Sequence, residues 1–308
     1  MNDASGITLH TIGADSGSAR CRLLPLRLLV AVIAASVCTA VAGRGYDSDT
    51  LSTLNYDSLV RGKIVTNAQM IGIGATNILD TYISPEKYSG TEIRYLSHTV
   101  RQTMKQARSG KLSTLLIHQG YLSYSKNRAG EGAGIAGMYS FSYGMHYNWK
   151  FCADRLQVKA GAQVDGNLGF LYNTRNSNNP AQARVSIDIA PAAAASYRFK
   201  VGRLPMAVGY ELSVPLVGLM FSPNYGQSYY EIFNEGNYDH NIVPTTIGCA
   251  PSLRQMLTID FHLRHSALRI GYVGDIEQYE VNNLKYHNYS HIFMIGYVRR
   301  FKSIRLKP

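Results

Sequence analysis

The chain has 308 residues and a formal net charge of +11; 45% of it is hydrophobic and 17% charged, with 28 glycines and 22 tyrosines against a single tryptophan. That length is ample for one large all-β domain, and no apolar run reaches the roughly eighteen residues of a transmembrane helix, which excludes a helical membrane protein. No basic run with interleaved aromatics marks a nucleic-acid surface, and with no Cys-x-x-Cys or His-rich spacing neither a metal site nor a cofactor is expected.

Arg20, Arg22 and Arg27 precede the apolar run Leu28 to Val41, which closes on Ala40-Val41-Ala42. A basic region, an apolar stretch and a small-x-small ending form a secretory signal, with cleavage expected before Gly43. Met1 to Ala19 makes the leader long, and Val37 is too bulky before Cys38 for a lipoprotein signal. The expected organisation is leader and signal peptide over 1–42, a periplasmic segment over 43–62, a barrel over 63–301 and a periplasmic tail over 302–308. The mature part keeps 28 basic and 18 acidic residues. Basic side chains of an exported protein can meet lipopolysaccharide phosphates, so outer-membrane lipid and lipopolysaccharide are the expected surroundings.

The segment Gly72-Ile73-Gly74-Ala75-Thr76-Asn77-Ile78-Leu79-Asp80-Thr81-Tyr82-Ile83-Ser84-Pro85, followed by Tyr88-Ser89-Gly90, resembles the opening of an uncharacterised family of Bacteroidota envelope proteins, domain-of-unknown-function family 3316. The resemblance would cover most of the mature chain. It implies an exported, β-rich protein and brings no activity or catalytic residues.

From Met138 onward, apolar and polar residues alternate with period two, the spacing of the two faces of a strand. Tyr139, Phe141, Tyr143, Met145, Tyr147, Trp149 and Phe151 share one parity, with Ser140, Ser142, Gly144, His146, Asn148 and Lys150 on the other. Leu156 to Phe170, Val185 to Phe199 and Met206 to Leu216 repeat the pattern, and Leu257 to Leu263 and Phe293 to Phe301 resume it. Strands in soluble sandwiches run about five or six residues. These run about twice as long, the length that crosses an outer-membrane hydrocarbon layer. The predicted fold is therefore an all-β, antiparallel outer-membrane β-barrel of about ten strands, with eight to twelve possible.

Turn signals place short connections at Ser109-Gly110, Ala153-Asp154, Gly202-Arg203 and His265-Ser266, and long ones at Ser84 to Gly90, Lys126 to Gly134, Asn173 to Pro180, Ser222 to Thr246 and Glu277 to Asn288. Bacterial barrels keep short turns in the periplasm, which puts both termini there. The apolar-parity rings gather accordingly, Tyr139, Tyr172 and Phe221 near the long loops and Trp149, Phe151, Tyr197, Phe199, Tyr297 and Phe301 near the short turns. Pro191 and Pro215 should each produce a bulge or local break. Cys152 and Cys249 fall at opposite rims, too far apart for a disulfide.

The polar parity sends Lys159, Asp165, Arg184, Asp188, Arg198, Glu211, Arg254, Asp260, His262, Arg264, Arg269 and Asp275 into the lumen. A barrel of this width has little free interior, so these groups are expected to pair into a plug. The alternative is a hydrolase at the outer rim, where Asp80, Glu92, Arg184, Asp188, Arg254 and His291 are the nearest polar side chains and an acid beside a histidine would act as general base. No nucleophile motif accompanies them. Ser142, His146 and Asn148 share one inward face, which suits a hydrogen-bonded histidine better than catalysis.

The connection from Ser222 to Thr246 holds Tyr225, Tyr229, Tyr230, Phe233, Tyr238 and His240 among Asn and Gly. Such rings either form a binding surface or fold inward as a cap. The reading overall is a structural or surface ligand-binding component with an unknown extracellular ligand, the rim hydrolase and a narrow solute conduit being the alternatives. Oligomeric state is not encoded in any recognisable pattern.

Overall fold

The computed structural model describes residues 61–103, 111–176, 179–263 and 266–305. The leader, the segment up to residue 60, the Ser109-Gly110 turn, Arg264, His265 and the last three residues lie outside the described residues. Twelve strands follow in chain order: β1 (Arg61–Asp80), β2 (Ser84–Thr103), β3 (Leu112–Asn127), β4 (Ala133–Phe151), β5 (Leu156–Asn173), β6 (Ala181–Val201), β7 (Leu204–Ser213), β8 (Val217–Phe221), β9 (Ile242–Thr246), β10 (Leu253–His262), β11 (Ala267–Val281) and β12 (Leu284–Arg305). One short helix, α1 (Tyr229–Phe233), lies between β8 and β9.

Antiparallel ladders run β5-β4-β3-β2-β1-β12-β11-β10-β7-β6, and a β5–β6 ladder joins the two ends. The sheet is thus a closed ten-stave barrel, as the alternation predicted. β8 continues the stave begun by β7, pairing with the far part of β6, and β9 pairs with β8 where the β10 stave would otherwise extend.

The alternation sorts as required. Ser140 and Ser142 are buried at 2% and 1% exposure, while Tyr143 and Met145 just beyond them are 49% and 55% exposed. The apolar parity of every long strand forms the outer surface, and among the described residues no second sheet or long helix covers it. Water would penalise this arrangement and hydrocarbon favours it. Trp149, Phe151, Tyr297 and Phe301 stand exposed toward the end that carries residues 152–155 and 202–203, called here the turn end, and Tyr139 and Tyr172 toward the other, the loop end.

Two expected long loops are strand instead. β2 starts at Ser84 after a three-residue connection, and β11 and β12 stay in register to Val281↔Leu284, closing on Asn282–Asn283. Those asparagines have φ of 53° and 59°, the pair of left-handed residues that a two-residue hairpin requires. Polar residues such as Glu280 and Lys285, exposed and ion-paired at 3.5 Å, lie on strand beyond the apolar belt. There the outward side chains are polar and the inward Tyr279, Val281, Leu284 and Tyr286 are apolar and buried, so the apolar-out alternation that identified strands is inverted.

Gly72 and Gly74 of the family-like segment face inward on β1. A Cβ on Gly74 would collide with the backbone of His291 and Ile292 on β12, so the two strands are pressed together here in a way only glycine permits.

The two prolines share one defect. Up to Ala192↔Ser213 and again from Ile189↔Val217 the register is regular, but between these pairs Ala190 and Pro191 oppose three residues, Val214, Pro215 and Leu216. This is a β-bulge. The Pro191 carbonyl accepts from the Val214 N–H at 3.2 Å, so the missing N–H of Pro191 points at the same bulge, while its other edge pairs normally with Ala162.

Val164 projects from the middle of β5 and is 48% exposed. Val164→Arg is expected to destabilise the protein in lipid vesicles by ~2–4 kcal/mol, as a midplane lipid-facing cation does. Urea unfolding checks this; a loss below ~0.5 kcal/mol, normal for a water-facing site, would show that hydrocarbon does not cover this face.

Candidate functional site: the filled lumen and its cap

Charge does not fill the lumen alone. An apolar layer of Met70, Leu96, Leu115, Ile117, Met256, Val273, Ile292 and Met294 blocks the barrel on the turn-end side of the main ion cluster. A second layer, containing Ile78, Met138, Leu171, Tyr279 and Tyr286, lies toward the loop end. β1, β2 and β12 supply apolar residues to both faces, which hid their inward parity in the sequence.

Between the layers runs a chain of buried ions. Glu92 and Arg94 are two apart on β2 and so share its inward face; Arg94 Nε and Nη2 are each 2.6 Å from Glu92 Oε1. Arg94 Nη1 reaches Asp275 Oδ2 on β11 at 2.8 Å, and Arg254 Nε approaches the other Asp275 oxygen at 3.4 Å. With its carbonyl oxygen turned toward Arg254, Gln119 accepts from both terminal guanidinium nitrogens at 3.3 and 3.0 Å. Glu92 Oε2 accepts from Ser290 Oγ at 2.6 Å, and Thr76, Asn288 and Tyr121 continue the network. Arg94 is fully buried. A buried charge persists only when paired and hydrogen-bonded in this way.

Toward the loop end the Arg184 guanidinium lies 3.3 Å from the ring centroid of Tyr286, which stacks on Tyr279 at 4.8 Å, and its Nη2 is 3.6 Å from Glu277 Oε2. Asp80 accepts from the Gln182 amide, turned with its nitrogen toward the carboxylate. Asp165 and Asp188 are direct cross-strand partners on β5 and β6; Gln163 donates to the first at 2.8 Å and Ser186 to the second at 2.8 Å. Toward the turn end, Arg269 holds Asp260 through two bonds of 2.6 and 2.7 Å, and His98 Nε2 meets Glu211 Oε2 at 2.9 Å. Inward carboxylates therefore dominate the loop half, while Lys159, Arg198, Arg269 and Arg300 outnumber Glu211 and Asp260 in the turn half.

Of the residues proposed for a rim hydrolase, Arg184, Asp188 and Arg254 line one cavity, but no acid among them meets the histidine. Asp80, Glu92 and Asp188 face inward on three different staves, and His291 is on the outer face, where its Nδ1 lies 2.6 Å from the Tyr272 hydroxyl. The acid–histidine contact inside the barrel is His98–Glu211, which sequence reasoning missed, as it missed Arg94 and the lumen role of Glu277. His262 lies at the turn-end limit of β10 and is exposed. Ser142 and His146 are buried without a hydrogen bond to one another among the described residues. Cys249 is a free thiol at the loop end, opposite the end that carries Cys152.

Residues 222–241 fold into a cap that divides the two roles expected of its rings. Ser228 and Glu231 form a reciprocal capping box at the start of α1, at 3.1 and 3.2 Å. The buried Asn241 amide bonds Gln227 Oε1 at 2.7 Å, Gln227 Nε2 bonds the Asn237 carbonyl at 2.9 Å, and Ile232 is fully buried. Asn282 of the β11–β12 turn donates to the carbonyls of Ser222 and His240, and Tyr82 donates to that of Gln227 at 2.9 Å. Tyr229 turns inward, accepting from the Ala183 N–H at 2.7 Å and stacking on Phe233; burial pushes its phenol up to about 12. Tyr225, Tyr230, Phe233 and Tyr238 remain 63–72% exposed, and His240 is exposed beside Asp239.

A family model described as a protein of unknown function (DUF3316) matches residues 23–308. No curated protein matches. Among solved structures the chain is similar to the outer membrane protease OmpT from Escherichia coli, at 6% identity and a TM-score of 0.39, over 81% of this chain and 99% of that one. It is similar at 11% identity and a TM-score of 0.39 to the translocator domain of the autotransporter NalP from Neisseria meningitidis, over 89% and 97% of the two chains. The COG4313 outer membrane channel from Pseudomonas putida F1 is similar at 11% identity and a TM-score of 0.31, over 81% and 98%.

Arg94→Met strands the Glu92 carboxylate in the lumen and is expected to cost ~3–5 kcal/mol. Glu92→Gln with Arg94→Met should cost less than the single change. Urea unfolding followed by the fluorescence of Trp149 measures both; an equal loss would show that Arg94 does not act by neutralising Glu92.

Proposed function

The chain belongs to the family of unknown function DUF3316, and we propose that it serves the outer membrane as a closed barrel that displays a surface-recognition cap. In this reading the turn end and both termini lie in the periplasm and residues 222–241 face outward, since connections 152–155 and 202–203 are short while the cap is the largest described connection. The barrel is a scaffold, not a pore: its lumen holds two apolar layers and an ion cluster, and the two cavities beside them are about 70 and 50 Å³, room for only a few water molecules each.

One observation carries the reading. The cap has a hydrogen-bonded interior of its own and is tied to three neighbouring elements, yet it leaves Tyr225, Tyr230 and Tyr238 standing in solvent. Rings held rigidly in this way lose little entropy on binding, which favours them as contact residues. The buried Arg94 and Arg184 layers keep the strands beneath the cap in one arrangement.

The triple variant Tyr225→Ala, Tyr230→Ala, Tyr238→Ala is expected to keep heat-modifiable gel mobility, the mark of a folded barrel, and to lose at least tenfold in capture on soluble glycan and peptide arrays. Equal capture by both proteins, or none by the native one, would remove the recognition role. The barrel should be silent in planar bilayers; steady single-channel currents would replace this reading with a conduit.

A further inference from the structure

The bulge at Val214–Leu216 does more than bend the wall. Beyond it, β9 pairs with β8 on one side, but among the described residues it forms no ladder with Glu277 to Val281 of β11, the strand on its other side. Residues 247–252 fill that position, and a single backbone hydrogen bond, from the Glu280 N–H to the Cys249 carbonyl at 2.8 Å, crosses the seam. Leu216, Val217, Leu219, Ile242 and Ile247, all 44–72% exposed, lie on its β8–β9 flank, and the exposed Glu280, ion-paired with Lys285, lies on its β11 flank. The seam therefore opens where the apolar belt meets the polar rim, the level of lipid head groups.

Behind it lies the cavity of about 70 Å³, whose polar lining includes Asp165, Asn167, Arg184, Asp188, Arg254 and Glu277. Arg184 has a side chain only 9% exposed, and its Nη1 has no hydrogen-bond partner; nor do the buried Asn167 Oδ1 and Glu277 Oε2. The cavity thus presents one unused donor and two unused acceptors. Asp165 and Asp188 face each other across the β5–β6 ladder, and among the described residues neither is in a salt bridge. Like charges set directly opposite destabilise a sheet unless something lies between them. On β8, Gly218 leaves room for the Asp188 carboxylate, which a Cβ there would strike.

Resting on the bilayer-embedded barrel, and going beyond the role of the cap, we infer that this seam is a lateral binding site for a zwitterionic, primary-amine lipid. The ammonium group sits between Asp165 and Asp188, where it can donate to carboxylates and to Asn167. An anionic oxygen of the head group accepts from Arg184 Nη1. The cavity is too small for acyl chains, which leave through the seam to join the surrounding bilayer.

The test uses the mature protein in maltoside detergent, titrated with phosphatidylethanolamine or phosphatidylglycerol of equal chain length, with bound lipid counted by native mass spectrometry. Retention of phosphatidylethanolamine should exceed that of phosphatidylglycerol at least tenfold. Asp188→Asn should abolish that preference with heat-modifiable mobility unchanged. Ala250→Trp, which blocks the cavity wall and leaves both carboxylates, should do the same, so a folding defect in one variant does not decide the matter. Equal retention of the two lipids, or a preference unchanged in every folded variant, overturns the site. Deacylated glycerophosphoethanolamine binding as tightly as the lipid overturns lateral access, since the ligand would then be a soluble zwitterion.

Discussion

Hydrocarbon offers no partner to a backbone N–H or C=O, so a sheet in a bilayer must leave no unpaired edge. The β5–β6 ladder that joins the two ends of this sheet meets that demand. Closure then dictates the side chains. Alternate residues must dissolve in lipid, and the rest must fill a space too narrow for bulk water. The chain therefore has an inverted distribution, with exposed Tyr143 and Met145 and buried Ser140 and Ser142, and any charge sent inward has to find its partner inside.

The buried ions find their partners in two ways. Asp260 and Arg269 are direct cross-strand neighbours, a local solution. Arg94 instead spans the interior from β2 to β11, linking staves that share no ladder. Such a contact depends on the completed ring, so it is coupled to closure in a way the local pair is not. The apolar layers on either side withhold water from Arg94 and make its pairing obligatory.

Legibility in the sequence followed the same physics. β4, β5 and β6 could be read residue by residue because lipid lies on one side and polar lumen on the other. β1 and β2 could not, since Met70, Ile78 and Leu96 are apolar and inward, and with their parity obscured Arg94 and His98 went unnoticed. Near the loop end the strands pass beyond hydrocarbon, and Glu277 to Asn288 looked like loop although it is a hairpin. His291 belonged to a correctly identified strand, yet its height and face needed the register. Cap composition revealed that rings would matter, but only packing distinguishes Tyr229, which is tucked under, from Tyr225 and Tyr238. Proline was informative in the sequence at both Pro191 and Pro215, although the two share one bulge instead of making one each.

That bulge also resets the phase of the wall. Along β7 the even-numbered Tyr210 and Leu212 look outward, while along β8 it is the odd-numbered Val217 and Leu219; β9 and β10 differ in the same sense. Were all three residues forced into regular alternation, the phase of β7 would run on into β8, turning Leu219 and Phe221 onto the aspartate-lined interior and delivering Gly218 and Met220 to the bilayer. Excising one residue between Ser213 and Val217 would instead heal the ladder with every face unchanged, so the bulge keeps the upper wall right side out by absorbing the odd residue of this connection.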